Sequence, residues 1–213
     1  MNRAPLRYDI LKKYYRAQSK SALQIAKILH CSEHKVNYWL EKYQIQKRTI
    51  SDAVYARNHP NGDPFKVRFP TNIKDAVLFG LGLGLYWGEG NKKNRTSIRL
   101  ANSDPVLLKK FIDFLVKICG VRKRDITFNL LIFSDIEPSA AKKFWIRELR
   151  IHPRQIRGKI TVIKSGRVGN YRQKSQYGVL ILQYHNRKLR DIICNLITDG
   201  GIDYSSMRQI VGR

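Results

Sequence analysis

The run Phe79-Gly80-Leu81-Gly82-Leu83-Gly84-Leu85-Tyr86-Trp87-Gly88-Glu89-Gly90 is a helix-length apolar stretch that carries five glycines and closes on one carboxylate. A helix interior ordinarily avoids glycine, which costs about 0.5–1 kcal/mol relative to alanine at each position. The stretch therefore needs a compensating close approach, and its spacing provides for one. Gly80, Gly84 and Gly88 recur every four residues and form a smooth ridge on one helix face. A second helix can lie against such a ridge at or below the usual interaxial distance of about 8–10 Å, with Glu89 beside the seam. Two copies packed in this way would bring two Glu89 carboxylates near each other.

Two blander readings apply to the same residues. Gly82-Leu83-Gly84 has the start of a GxG nucleotide loop, but no convincing strand precedes it and the third glycine is missing from its place. The stretch can also be a buried helix without chemistry, with Glu89 a solvated end. It is too short for a membrane span, because Glu89, Lys92 and Lys93 end it.

Gly82-Leu83-Gly84-Leu85-Tyr86-Trp87-Gly88-Glu89-Gly90 resembles, position for position, the nine-residue motif of the LAGLIDADG homing endonucleases, and the similarity covers residues 75–90. The resemblance implies a motif helix at a subunit interface whose last acid holds the divalent metal that cuts DNA. On that basis Glu89 is the metal ligand and a catalytic residue, and Gly80, Gly84 and Gly88 form the dimer interface, with Gly90 also a packing residue. Glutamate in place of the commoner aspartate keeps a hard oxygen ligand suited to Mg2+. Trp87 stands where the motif often has a second acid, leaving one strong ligand per motif. The motif occurs once, which in this family implies a homodimer.

Composition points to a polyanionic partner independently of any motif. The chain has 213 residues, with 41 Lys plus Arg against 16 Asp plus Glu, for a formal charge of +25. Such an excess attracts phosphate backbones and makes binding steeply salt-dependent. The charge is spread over both halves, with net +8 in residues 1–57 and +16 in residues 73–213. No strongly basic amphipathic terminal helix favours a membrane surface. The three cysteines, Cys31, Cys119 and Cys194, are widely spaced, and no signal peptide is evident, so a reducing, cytoplasmic setting is expected. The five histidines show no HxH or HExxH spacing, so zinc has little support, and no small-molecule cofactor is expected.

Residues 1–57 predict a small all-α domain. Leu6–Ala17 and Ala22–His30 carry apolar residues at helical spacing, and Ser32 can cap a third helix running to Tyr43. Ile25, Ala26, Leu29, Cys31, Val36 and Trp39 fall where a helix-turn-helix needs its apolar core. The segment resembles the helix-turn-helix of transposase- and resolvase-type DNA-binding domains, with His30 where glycine is usual in the turn. In a recognition helix of this kind Ser32, His34, Lys35, Asn37, Tyr38 and Lys42 face the major groove of double-stranded DNA. Lys47 and Arg48 follow and are candidates for backbone contact or a solvated linker.

Residues 58–72 hold three prolines and little periodicity and read as a linker. Residues 73–213 predict a mixed α/β domain. Strands are expected at Thr96–Ala101, Ile126–Phe133, Lys159–Lys164 and Tyr177–Tyr184, and helices at Pro105–Cys119, Pro138–Leu149 and Arg187–Ile197. The resemblance implies a curved four-stranded sheet with two strands between the motif helix and the next helix. The sequence shows one clear strand there, so either Lys92–Asn94 hides a second or the sheet is ordered differently. The fold class expected is α+β, a helix-turn-helix domain followed by a LAGLIDADG-like domain.

Hydrolysing a phosphodiester also needs a group to steady water and phosphate. Lys164, closing a strand, is the first candidate, with Asn129 and Gln183 behind it, and a polar sheet face lying on DNA is the alternative for all three. Arg167, Arg172 and Lys174 sit in a basic, glycine-containing loop suited to phosphate tracking. Two functions follow: a Mg2+-dependent homing-type DNA endonuclease acting as a homodimer, or a DNA-binding transcriptional regulator that kept the scaffold without the chemistry. An RNA-binding role is the residual reading.

Overall fold

The computed structural model describes residues 4–164 and 175–198. The chain divides into two compact units, Met1–Pro64 and Phe65–Arg213.

The first unit is helical. It comprises α1 (Tyr8–Lys12), continuing through a π-helical turn at Lys13–Ala17, then α2 (Ala22–Ile28), α3 (Glu33–Lys42) and α4 (Ile50–Asn58). Helix α2 begins at a capping box, with the Ser21 hydroxyl accepting from the Gln24 amide at 3.1 Å and the Gln24 side chain accepting from the Ser21 amide at 2.8 Å. Leu11, Tyr15, Ile25, Ala26, Val36, Leu40 and Ile45 are buried together, with Leu29, Cys31 and Trp39 packed at the margin. His30, in the turn between α2 and α3, has φ +50°, the left-handed backbone that normally selects glycine there. Sequence periodicity did not reveal α4: it buries no residue, so it has no apolar stripe to find, and a Thr49 cap on the Asp52 amide marks its start.

The second unit is α+β. Its described elements are α5 (Ile73–Glu89), β1 (Ile98–Asn102), α6 (Pro105–Asp113), β2 (Thr127–Phe133), α7 (Pro138–Leu149), β3 (Thr161–Ile163), β4 (Val179–Tyr184) and α8 (Arg187–Thr198). The strands form one mixed sheet in the order β1-β4-β2-β3. β4 lies antiparallel between β1 and β2, and β3 pairs parallel to β2 at the edge. Ile98, Leu100, Phe128, Leu130, Ile132, Leu180 and Leu182 alternate onto the buried face and join a core with Phe79, Tyr86, Phe111, Phe114, Trp145 and Leu189 from the helices. The opposite face carries Arg99, Gln183 and Thr127 in one cross-strand row and Ala101, Ile181 and Asn129 in the next.

The hidden strand is shorter and earlier than Lys92–Asn94. Gly90 bridges antiparallel to Leu100, and the Asn91 amide donates to the Arg99 carbonyl at 2.9 Å. Part of the proline-rich stretch is packed rather than a linker, since Val67 is buried and Lys66 and Arg68 donate amide hydrogen bonds to Cys119 and Ile118. Among the described residues, no helix is long and apolar enough to cross a membrane.

Candidate nucleic-acid interface

Helix α5 is capped by Asn72, whose side chain accepts from the Asp75 amide at 2.9 Å, and it runs 17 residues to Glu89. Its glycines divide into two kinds. A Cβ on Gly82 would lie 2.1 Å from Cγ of Phe114, and one on Gly90 would lie 2.3 Å from the Tyr86 carbonyl oxygen. The fold of this chain therefore requires both. A Cβ on Gly80, Gly84 or Gly88 would meet nothing within 4 Å. These three lie on an exposed helix face with Ile73, Val77, Leu81 and Trp87, the last 67 % exposed. The ridge is thus present, and among the described residues nothing comes within 4 Å of where a Cβ on Gly80, Gly84 or Gly88 would sit.

Glu89 is exposed and is the last residue of α5. A carboxylate there faces the negative end of the helix dipole, an unfavourable place that a nearby cation relieves. One cation is already close, because Lys92 Nζ donates to the Trp87 carbonyl. Beneath the end of the helix Tyr86 is fully buried, stacks on Phe111 with ring centroids 5.9 Å apart, and donates to the Asn91 carbonyl at 3.4 Å. Burial pushes its hydroxyl up to about 12, so it stays protonated. Burial likewise raises the thiols of Cys119 and Cys194, which makes both poor nucleophiles.

Lys164 does not join Glu89 within one chain. Gly90 is level with Leu100, Leu182 and Phe128, whereas Lys164 follows Ile163, the partner of Phe133 on the far edge strand. Four strand spacings across and about six residues along put the two on the order of 20 Å or more apart. Asn129 and Gln183 do share the sheet face opposite the apolar core. Gln183 is 9 % exposed and its backbone carbonyl accepts from Thr127 Oγ1 at 3.4 Å. The Asn129 amide nitrogen, in the orientation that satisfies it, donates to the Arg157 carbonyl at 3.2 Å.

On α3, His34, Tyr38 and Lys42 recur four apart along the exposed side, with Lys35 and Asn37 half-buried beside them. Lys42 Nζ lies 4.8 Å from the Trp39 ring centroid, which holds its charge against the helix. Ser32 takes the capping role its place before α3 predicts: its hydroxyl accepts from the Lys35 amide at 3.2 Å, which commits that oxygen to the helix start rather than to the groove. Lys47 pairs with Glu41 at 3.3 Å on the surface. Arg48 is a structural clamp rather than an outward cation. Its guanidinium lies 4.5 Å from the Tyr15 ring centroid and donates to the carbonyls of Ser19, at 2.7 Å, and Lys20. Arg167, Arg172 and Lys174 lie outside the described residues.

Lys92, read in the sequence only as ending the apolar run, donates its ammonium to the last turn of α5. Lys92 follows the motif directly, and that adjacency was its one available signal. Arg190, whose guanidinium donates to the Lys92 carbonyl, comes from a helix 98 residues further on, and no local pattern links the two. No protein-family model, curated protein or solved structure matches this chain.

Proposed function

We propose that this protein is a sequence-specific, duplex-DNA-binding homodimer of the LAGLIDADG homing-endonuclease type, which hydrolyses a phosphodiester bond with a divalent cation at paired Glu89 carboxylates. The observation that carries the reading is the idle ridge. Gly80, Gly84 and Gly88 each cost about 0.5–1 kcal/mol of helix stability, and among the described residues nothing comes close enough to need them. A second α5 packed ridge to ridge gives all three a purpose and places Glu89 of each chain at the end of the seam. The exposed side of α3 and the charge of +25 support duplex DNA as the ligand.

The donor set fits a metal only in the dimer. Among the described residues no three His, Cys, Asp or Glu side chains converge. Mg2+ characteristically takes one or two carboxylates and fills its shell with water and phosphate oxygen, so one exposed Glu89 from each chain meets the minimum. Such an ion would activate water and offset charge on the leaving oxygen. The chain's own contribution is to hold the two carboxylates against each other and the duplex across them. Lys164 has no place at the Glu89 of its own chain.

A second reading, a DNA-binding regulator without cleavage, is favoured by one feature: Trp87 stands where a second acid would sit, so the ligand count is at its lowest. Incubation with a randomised duplex library and Mg2+, followed by sequencing of bound and cut molecules, separates the two. The nuclease reading expects specific ends that disappear with Glu89→Gln while binding persists. Enriched but uncut sequences, bound equally by both proteins, would establish the regulator instead. No enrichment of any duplex would sink both.

A further inference from the structure

At the C-terminal end of α5 the second unit carries a cleft of about 690 Å³, lined by Lys92, Lys93, Arg95, Arg187, Arg190 and Asp191. Five of these six side chains are cationic, and Asp191 divides its carboxylate between Arg190, at 2.9 Å, and Arg187, at 3.5 Å. Long cations on a convex surface spread into water. Here they converge on a concavity from two segments far apart in sequence, the loop after α5 and the first turns of α8, tied together by Arg190 donating to the Lys92 carbonyl.

Arg190 is the fixed centre of the cleft. Its side chain is 15 % exposed, and its two terminal nitrogens are used on Asp191 and on the Lys92 carbonyl. Its Nε is buried, and the guanidinium also stands beside the Tyr86 hydroxyl, so the cation is anchored in place rather than free to swing into water. The adjacent N-terminus of α8, where Asn186 accepts from the Leu189 amide at 2.9 Å, adds the positive end of a 12-residue helix. A concave site lined by five cations, with Arg190 held in position among them, suits a phosphodiester oxygen, and guanidinium groups recognise phosphate through charge-assisted hydrogen bonds.

We propose that this cleft binds the DNA backbone, seating a phosphate close to the Glu89 end of α5 and so fixing the strand relative to that carboxylate. The proposal rests on the DNA-binding reading and deepens it by naming the phosphate site. Removing Lys92, Lys93 and Arg95 together by alanine substitution leaves the core intact and deletes three cations of the lining. In the full-length protein, the slope of log affinity against log salt for a random-sequence duplex should then become shallower by about 2–3, near one per lost phosphate contact. Pyrophosphate should shift the Arg190 Nε–H resonance in the parent protein, and much less in the triple variant. Arg190→Lys keeps the charge but loses the fork, and should weaken duplex binding as well.

An unchanged salt slope in the triple variant, while His34→Ala with Asn37→Ala still weakens binding, would overturn the cleft and leave DNA binding standing. A pyrophosphate shift at Arg190 with no change in duplex slope would overturn the backbone assignment in favour of a free-phosphate site. Failure of the parent protein to bind any duplex at low salt would overturn the cleft and the DNA reading together.

Discussion

A methyl group at Gly82 would overlap the Phe114 ring, whereas a methyl group at Gly84, two residues along the same helix, would point into open space. The same substitution therefore has opposite expected signs. Gly82→Ala should destabilise the second unit by about 1–3 kcal/mol, because a fully packed core residue has to move. Gly84→Ala should stabilise the monomer by about 0.5–1 kcal/mol through helix propensity alone. Urea unfolding at low protein concentration reads both. Gly84→Ala has a second readout: the more stable monomer should self-associate less well, because the added methyl holds two helices apart. A variant that gained stability and dimerised as before would remove the ridge as an interface.

At the level of elements, α3 is held at its start by Ser32 and across its buried side by Val36 and Leu40. Ser32→Ala should cost about 1 kcal/mol by leaving the Lys35 amide without its cap. Thermal unfolding of the full chain would record it as an earlier loss of the first unit. Because the Ser32 hydroxyl accepts from Lys35 in the cap, the variant should weaken DNA binding by a similar factor for all sequences, whereas Asn37→Ala should relax preference at particular bases. Loss of specificity with Ser32→Ala at unchanged stability would return that residue to the groove. Arg48 makes the same point from the other direction, since a cation that reads as exposed in sequence closes the domain by stacking on Tyr15.

For the whole molecule the expected outcome is a mass near two chains by light scattering at working concentration, with or without DNA. Leu81→Lys, on the exposed face of α5, should return it to one chain without lowering monomer stability, since Leu81 is 40 % exposed. A single-chain mass for the parent protein, on DNA as well as alone, would refute the shared Glu89 site. The sequence by itself determined the α+β class, the order of the first three helices and each described strand to within about two residues, because apolar periodicity and capping residues act locally. Helix α4 escaped because it buries nothing. Periodicity also placed the glycine ridge on one helix face, but not which glycines were idle. That depended on Phe114, a residue of a separate helical segment, filling the space beside Gly82. Tertiary structure alone separated Lys164 from Glu89, tied Arg48 to the Tyr15 ring and the Ser19 and Lys20 carbonyls, and brought Arg190 to Lys92. The physical reason is shared: burial patterns report which face a residue takes, whereas proximity across a sheet or between distant helices depends on strand order and packing, which no local spacing encodes.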